Sequence, residues 1–374
     1  MHRVAVTGTG VFTPSQIITN DELVEAYNAY ATRWNADNAQ AIAAGDVAAK
    51  EPSSSEFIFK ASGIEQRHVM DKSGVLDPDT MHPRLPERAD DAPSLMAEMA
   101  LEAAKHALDE AGLKGADIDA VLVAASNHER AYPAIAVEVQ ALLGAGGFGF
   151  DMNVACSSAT FGLQAACDMI RAGSVRRVLM VNPEICSAHL EWRDRDCHFI
   201  FGDVCTAVVI ERLEPSEARP HFEVLSTRCE TQFSNNIRNN NGFLRRTRYP
   251  DLEDRRDMQF MQEGRKVFKE VLPLVSAHIA RHLQEAELAA DALGRLWLHQ
   301  ANKSMNDFIG KKVLGRTPDA TEQPNILQDY ANTSSAGSII AFSKHSADLD
   351  PGALGLICSF GAGYSVGSVL VRRG

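Results

Sequence analysis

The sequence predicts a duplicated α/β fold, in which two copies of one unit follow each other along 374 residues. The first observation is a repeat, because His106–Asp119 matches Arg281–Gly294 at a constant offset of 175 residues. The second is that each matching segment leads into an apolar run, Ala120–Asn127 in one copy and Arg295–Asn302 in the other. An amphipathic helix followed by a buried strand, present twice at one spacing, is typical of a duplicated α/β unit.

The later elements of each copy also correspond. Ala155–Ala159 faces Ala331–Ser335 one residue out of that register, and Phe201–Arg212 resembles the C-terminal Phe360–Arg373. Each copy therefore consists of a helix, a strand, a strand–turn–helix, a further strand and a final glycine-led β segment. This order predicts strands that are covered by helices on both faces.

The two halves are expected to cover residues 1–213 and 220–374, because the stretch LEPSEARP that begins at Leu213 breaks both patterns. Proline, aspartate and charged residues mark places where regular alternation is interrupted. Three such segments are expected near the surface: the helix-prone residues 27–55, residues 71–93, and residues 245–257 before a helix that begins near Met258.

The composition argues against several classes of protein. A formal net charge of −12 opposes nonspecific binding to nucleic acid or to an anionic membrane. No run approaches the roughly 18 apolar residues of a spanning helix, and no secretory signal is recognisable, so a cytoplasmic protein is expected.

The seven cysteines contain no C-x-x-C pair, which indicates neither a disulfide framework nor a metal site. The N-terminal GTGVFTP lacks the third glycine of a dinucleotide-binding loop.

Cys156 is the strongest candidate nucleophile. It precedes a helix predicted over Ser157–Ala172, which should end before Gly173 because glycine readily adopts the left-handed conformation there. The unpaired N–H groups and positive dipole of a helix N terminus favour a thiolate and can hold an oxyanion. The alternative is that Cys156 is a small core residue, as most such cysteines are.

His299 and Asn332 are the other candidates. His299 ends the apolar run RLWLH and, taken alone, is more readily interpreted as a core histidine. Asn332 in YANTSSAGS would serve equally well as a helix N-cap. The repeat changes both interpretations, because it places Cys156 and Asn332 in equivalent turns and allows residues far apart along the chain to converge.

Four segments resemble the signature motifs of the β-ketoacyl-acyl carrier protein synthase III family, within the thiolase superfamily. In chain order they are NVACSSATFGL, LHQANKSM, ANTSSAGS and FGAGYSVGSVLV. The resemblance implies a thiolase-like fold, with two duplicated α/β halves in a layered α-β-α-β-α architecture, and a homodimer. It also implies a catalytic triad of Cys156, His299 and Asn332. The backbone N–H groups of Cys156 and Ala362 would form the oxyanion hole, although the family usually has Gly at the latter position.

The implied reaction is a decarboxylating Claisen condensation of an acyl-CoA with malonyl-acyl carrier protein in fatty acid biosynthesis. Coenzyme A enters as the thioester substrate, and no further cofactor is expected. Cys156 would accept the acyl group, and His299 and Asn332 would donate hydrogen bonds to the enolate left by decarboxylation. A degradative thiolase is disfavoured, because Cys358 is one residue out of register with its second cysteine and its Gly-His-Pro motif is missing.

Two other interpretations remain open. The first is another condensation of the superfamily, either head-to-head joining of two acyl-CoAs or a hydroxymethylglutaryl-CoA synthase-like reaction. The second is a catalytically silent paralogue that binds acyl groups or a partner.

Several residues carry predictions about the substrate. Phe57 and Ala61 stand where the family has the Trp and Arg that clasp the adenine of coenzyme A, so an aromatic face is kept and a guanidinium is lost. Asn302 matches a family residue near the pantetheine arm, with a turn-forming asparagine as the alternative. Tyr132 matches an aromatic residue that the dimer partner inserts into the acyl pocket. Together with the long segment before Phe57, it resembles a subgroup that forms 3-oxodecanoyl-carrier protein from octanoyl-CoA.

The acidic carrier protein requires a basic landing site on this acidic chain. Lys269, Lys311 and Lys312 match family lysines, and Arg265 and Lys266 add positive charge nearby. The alternative is that these are solvated charges on helix surfaces.

Overall fold

The computed structural model describes residues 2–213, 220–244, 247 and 256–374, in which helices and strands alternate along the chain. The strands are β1 (Val4–Phe12), β2 (Gln16–Thr19), β3 (Gln66–Val69), β4 (Ala120–Ala124), β5 (Phe148–Met152), β6 (Arg177–Glu184), β7 (Val204–Arg212), β8 (Phe222–Thr231), β9 (Ile237–Arg238), β10 (Met261–Gln262), β11 (Leu293–Leu298), β12 (Leu354–Gly361) and β13 (Ser365–Arg373). The α-helices are α1 (Asn20–Asp37), α2 (Ala39–Ala44), α3 (Ser55–Ser62), α4 (Leu95–Ala111), α5 (Ile135–Leu143), α6 (Ser158–Arg171), α7 (Gly264–Glu285), α8 (Lys303–Leu314), α9 (Leu327–Tyr330) and α10 (Gly337–Lys344).

Nine strands form one sheet in the order β11-β12-β13-β8-β1-β7-β6-β4-β5. In the first copy β1 pairs antiparallel with β7, β7 antiparallel with β6, and β6 parallel with β4. In the second copy β8, β13, β12 and β11 repeat these three pairings in the same sequence. The predicted duplication is therefore present in the pairing of the strands.

The repeat spacing found in the sequence is also kept in the elements. A 3₁₀ turn follows the long helix in each copy, at Gly115–Asp117 and at Ala290–Ala292, and leads into β4 and β11. The prediction of a helix starting near Met258 is wrong, since α7 begins at Gly264. The intervening Met261–Gln262 pairs with β9 as a short strand, and this pairing delays the helix.

Five layers follow from the alternation of side chains along the strands. On β4, Leu122 faces a core shared with α6 and α10, whereas Val121 and Val123 face a core shared with α4 and α5. On β11, Trp297 joins the inner core with α6 and α10, and Leu296 packs with α7 and α8. The predicted α-β-α-β-α architecture is confirmed, with α6 and α10 in the central layer.

The helix-prone segment before α3 is fastened to α1 by two asparagines. Asn35 accepts a bond from the Lys50 N–H at 2.8 Å and donates one to the Lys50 carbonyl at 3.0 Å. Asn28 binds the main chain of Ser53 in the same way, at 2.8 and 3.1 Å. These bonds fix the chain that enters α3, which carries Phe57.

Two sequence predictions touch residues outside the described ranges. Residues 214–219, at the predicted division between the halves, are not described, so the extents of the halves stay a prediction. The predicted loop at 245–257 is described only at residues 247, 256 and 257. In the described part of the chain, no helix has both the length and the apolar character needed to cross a bilayer.

The N-terminal GTG motif has a packing role in β1. A Cβ atom on Gly10 would lie 2.0 Å from the carbonyl oxygen of Ala103, and one on Gly8 would lie 2.1 Å from that of Ala107. Both carbonyls belong to α4, so the glycines allow this helix to lie directly against the strand.

We expect Gly10→Ala to lower the free energy of unfolding by about 1–3 kcal/mol, because the added methyl group overpacks the contact between β1 and α4. Thermal unfolding measures the effect. Gly146→Ala is the matched control, since the nearest atom to its added Cβ lies at 3.8 Å. Equal melting temperatures for the two variants would contradict the packing role of Gly10.

Candidate active site

A cavity of about 570 Å³ brings together the three residues that the sequence singled out for chemistry. Cys156, His299 and Asn332 all line it, together with Phe57 and Asn302. Cys156 follows β5, His299 follows β11 and Asn332 follows α9. Because these elements are far apart along the chain, the fold is what brings the three residues together.

Cys156 and Asn332 occupy equivalent turns, as the repeat predicts. The residue before each is an alanine with a positive φ, +48° at Ala155 and +56° at Ala331. Such angles are unfavourable for a residue with a side chain and persist only where the surrounding structure holds them. A strained alanine thus precedes the site residue once in each copy.

The thiol of Cys156 is surrounded by hydrogen-bond donors. The Ser334 hydroxyl donates to the Cys156 sulfur at 3.4 Å. Burial raises the pKa of Cys156 to about 11, although hydrogen bonds from Ser334 and from the backbone N–H groups of Cys156 and Ala362 act to lower it. The expectation that the helix N terminus favours a thiolate is therefore wrong for the resting site, because desolvation outweighs the donors and α6 begins two residues later, at Ser158.

Gly361 determines how closely the segment that was predicted to complete the oxyanion hole approaches the thiol. A Cβ atom there would lie 2.7 Å from the Cβ of Cys156 and 3.0 Å from its backbone nitrogen. Only glycine fits this contact. The following residue, Ala362, contributes its backbone N–H to the sulfur, which explains how alanine can stand where the family usually has glycine.

His299 is a buried neutral imidazole. Its backbone N–H donates to the Cys358 carbonyl at 2.7 Å, and its ring lies edge-to-face with Phe360 at a centroid distance of 5.2 Å. Burial lowers the pKa of His299 to about 3. Its Nδ1 is buried and has no hydrogen-bond partner within the described residues. A neutral imidazole carries one N–H donor and one acceptor nitrogen.

Asn332 is oriented by its own turn. Its Oδ1 accepts a hydrogen bond from the Ser334 N–H at 2.9 Å. The oxygen therefore makes the backbone contact that the capping interpretation predicts. Its backbone N–H donates to the Ile200 carbonyl at 3.0 Å, and its carbonyl accepts from Gly202 at 3.1 Å. The Nδ2 group is left as a donor without a partner in the described part of the chain.

The mouth residues differ in how far they match the sequence prediction. Asn302 caps α8, accepting from the N–H groups of Ser304 at 2.9 Å and Met305 at 3.3 Å, and it donates to the Ala61 carbonyl at 2.5 Å. The turn-forming alternative thus accounts for its side chain, and a role beside pantetheine stays a prediction. The Arg195 guanidinium lies 4.0 Å from the centre of the Phe57 ring.

Four predicted binding residues lie away from this cavity in their own chain. Tyr132 is 84% exposed. Lys269 is exposed on α7, and Lys311 and Lys312 are exposed in the last turn of α8. Arg265, by contrast, lines the cavity at the start of α7.

Sequence reasoning missed Ser334 and Arg195. Ser334 lies inside the motif that identified Asn332, and this nearness along the chain could have drawn attention to it. Its hydrogen bond to Cys156 joins the two copies of the repeat, and no local pattern in the sequence indicates it. Arg195 belongs to a charged stretch, RDRD, that gave no periodic or motif signal.

Comparisons with known proteins agree with this geometry. The family model described as 3-oxoacyl-[acyl-carrier-protein (ACP)] synthase III matches residues 150–232, and that of its C-terminal part matches residues 283–373. The chain is 56% identical over 350 residues to the beta-ketodecanoyl-[acyl-carrier-protein] synthase of Pseudomonas aeruginosa, covering 94% of this chain and 100% of that protein. It is 29% identical over 376 residues to the beta-ketoacyl-[acyl-carrier-protein] synthase III of Granulibacter bethesdensis, with 100% of both chains covered. The fold is similar to the crystal structure of 3-oxoacyl-[acyl-carrier-protein] synthase III from Aquifex aeolicus, with a TM-score of 0.77, 24% identity and 99% of each chain covered.

Alkylation of Cys156 by iodoacetamide is expected to be slow at pH 7 and to accelerate as the pH rises toward 11. The raised pKa keeps the thiol protonated below about 11, and the thiolate is the reacting form. Intact-mass spectrometry across a pH series measures the rate, and Cys156→Ala reports reaction at the other cysteines. A rate that has already levelled off by about pH 8 would contradict the predicted protonation state.

Proposed function

Because the chain belongs to the 3-oxoacyl-[acyl-carrier-protein] synthase III family, we propose that it condenses an acyl-CoA with malonyl-acyl carrier protein in fatty acid biosynthesis. The product is a 3-oxoacyl-acyl carrier protein, and carbon dioxide and coenzyme A are released. The observation that carries this proposal is the shared cavity of Cys156, His299 and Asn332. The resemblance to a beta-ketodecanoyl synthase supports octanoyl-CoA as the donor, since eight acyl carbons and two malonyl carbons give a ten-carbon product.

In the first half-reaction, the Cys156 sulfur attacks the thioester carbonyl of the acyl-CoA. The bond from that carbon to coenzyme A breaks, the acyl group stays on Cys156, and the thiol proton leaves with coenzyme A. Burial favours a neutral thiol beside the neutral His299, so this proton must move as the new bond forms. The N–H groups of Cys156 and Ala362, which already reach the sulfur, can hold the tetrahedral oxyanion.

In the second half-reaction, malonyl-acyl carrier protein enters and loses carbon dioxide. The electron pair of the broken C–C bond becomes an enolate, whose oxygen accepts hydrogen bonds from the His299 ring and the Asn332 Nδ2. The enolate carbon then attacks the acyl group, forming the new C–C bond, and Cys156 leaves as a thiolate that takes up one proton from solvent. No general base for an α-proton is required, because decarboxylation supplies the carbanion.

The cavity has room and surface suited to a medium acyl chain and its pantetheine arm. Its volume of about 570 Å³ lies within the usual range of small-molecule sites. Its wall includes apolar side chains from α7, α8 and neighbouring segments: Ile237, Phe260, Val267, Val271 and Met305. At the mouth, we assign the adenine to the pair of Phe57 and Arg195, where the Arg195 cation replaces the one lost at Ala61.

The carrier protein is assigned to the face formed by α7 and α8, which pack side by side. Lys269 on α7 and Lys311 and Lys312 on α8 present exposed ammonium groups there. Arg265 links this face to the cavity that it lines. An acidic partner gains most from such charges through faster association, with an effect that weakens as salt rises.

The proposal includes a homodimer formed along β5. This strand is one of the two edges of the nine-stranded sheet, and its Phe148 and Phe150 stack at 6.4 Å while remaining 44% and 36% exposed. An edge strand with exposed aromatic rings is suited to pairing with a second copy. Tyr132, exposed in its own chain, would then enter the acyl pocket of the partner.

The first test is intact-mass spectrometry after incubation with acetyl-, octanoyl- or dodecanoyl-CoA, followed by malonyl-acyl carrier protein. We expect octanoyl transfer to Cys156 and loss of the adduct as 3-oxodecanoyl-carrier protein appears. His299→Ala and Asn332→Ala should still be acylated but should condense about 10²-fold more slowly or worse, because each removes an enolate donor. Cys156→Ala controls for labelling at other sites. A preference for acetyl-CoA would refute the proposed preference for an eight-carbon donor. The absence of an adduct with every donor would favour the interpretation as a catalytically silent paralogue.

The second test is the oligomeric state. Phe148→Glu combined with Phe150→Glu is expected to convert a dimer into a monomer, because two charges would be buried without partners. Sedimentation equilibrium measures the mass. Phe233→Glu is the matched control, since Phe233 is 89% exposed on a different part of the chain. A dimer that survives the double change, or a native monomer, would refute this interface.

A further inference from the structure

Glu184 is a buried carboxylate that the proposed reaction does not use. It is the last residue of β6, and 1% of its surface is exposed. Placing a carboxylate in such a position is unfavourable unless its oxygens are satisfied by donors. The donors that satisfy it come from both copies of the repeat.

On one side, Glu184 is linked to the turn that precedes Cys156. The Ser126 N–H donates to one carboxylate oxygen at 2.9 Å, and the Ser126 hydroxyl donates to the other at 2.6 Å. The Ser126 carbonyl accepts a bond from the Asn153 side chain at 2.7 Å. Asn153 in turn accepts from the N–H of Ala155 at 2.9 Å. The series ends at the strained residue that sets the position of Cys156.

On the other side, Glu184 is linked to the turn that carries Asn332. The Ser335 N–H donates to the carboxylate at 3.3 Å, and the Ser335 hydroxyl donates to the same oxygen. The preceding residue, Ser334, donates its N–H to Asn332 and its hydroxyl to the Cys156 sulfur. One carboxylate therefore connects the turns of both copies.

We propose that Glu184 is the positioning residue that holds the Cys156 turn and the Asn332 turn at their working separation. For catalysis this inference rests on the proposed function, because the spacing matters to a reaction that uses both turns. A carboxylate suits the role, since all four of its bonds to Ser126 and Ser335 come from donors and an ionised carboxylate only accepts. Bonds to a charged acceptor are also stronger than those between neutral groups.

The ionisation of Glu184 is balanced near neutrality. Burial raises the pKa of Glu184 to about 7, and the hydrogen bonds from Ser126 and Ser335 act to lower it. Its negative charge in turn contributes to the raised pKa of Cys156. The Cys186 thiol also donates to the carboxylate, with a distance of 3.8 Å from its sulfur.

A purely structural carboxylate would behave differently, and the chain offers a matched example. Glu211 is 2% exposed near the far end of β7, where it accepts a bond from Thr7 at 2.5 Å and one from Arg177 at 3.3 Å. It pairs with Arg177 at the start of β6, at the opposite end of that strand from Glu184. Replacing Glu211 therefore reports the cost of losing a buried carboxylate in general.

The test compares Glu184→Ala, Glu184→Gln and Glu211→Ala by hydrogen exchange and by kinetics. We expect Glu184→Ala to speed exchange in peptides covering both 153–158 and 332–336, because one change loosens both turns. Its kcat for condensation should fall by about 10²-fold with little change in KM for the acyl-CoA. Glu184→Gln keeps an acceptor oxygen for Ser335 and a group that can bond Ser126, so it should recover most of both losses. Glu211→Ala should alter neither peptide.

Faster exchange at one turn alone, or equal effects of Glu184→Ala and Glu211→Ala on kcat, would overturn the proposal. The exchange measurement needs no substrate. If the native protein failed to condense any acyl-CoA, the proposed function would fall while loosening of both turns would still support the positioning role.

Discussion

The arrangement of the site depends on a central layer of two helices buried between the two halves of the sheet. Leu163 of α6 and Phe342 of α10 belong to one apolar core that includes strands of both copies. The Phe342 ring lies edge-to-face with Phe222 and with Trp297, each at 4.9 Å between centroids. Each fully buried side chain of this size contributes about 1.5–3 kcal/mol, so the central layer is held strongly. Since α6 begins two residues after Cys156 and α10 begins five residues after Asn332, packing this layer also fixes the positions of these two residues.

The same burial that stabilises the core determines the electrostatics of the site. Desolvation raises the pKa of Cys156 and lowers the pKa of His299, which leaves both groups uncharged at rest. A water-poor site makes each hydrogen-bond donor more effective toward charge that develops during reaction. In the proposed reaction, the donors on Cys156, Ala362 and Asn332 therefore meet negative charge that develops only transiently.

Much of the fold could be predicted from the sequence because the informative patterns are local or periodic. The repeat, the apolar runs and the glycine after α6 indicated the duplicated layers, and Gly173 does have a positive φ of 79°. The equivalence of the Cys156 and Asn332 turns also followed from the repeat. The start of α7 did not, because a two-residue strand pairing competes with helix formation there. The protonation of Cys156 was misjudged, since desolvation sums contributions from the whole fold. The contact of Arg195 with Phe57 joins distant segments that share no pattern.

The matching strained alanines before Cys156 and Asn332 also bear on how such a site could arise. A symmetric pair of single units would bring two identical turns face to face across a twofold axis. When two such units are joined in one chain, the side chains of each turn can change without altering the other turn. In the proposed reaction one turn supplies the nucleophile and the other an amide donor, while each keeps a positive φ before its site residue. The asymmetry of the proposed chemistry thus lies in the side chains, on two backbones that correspond.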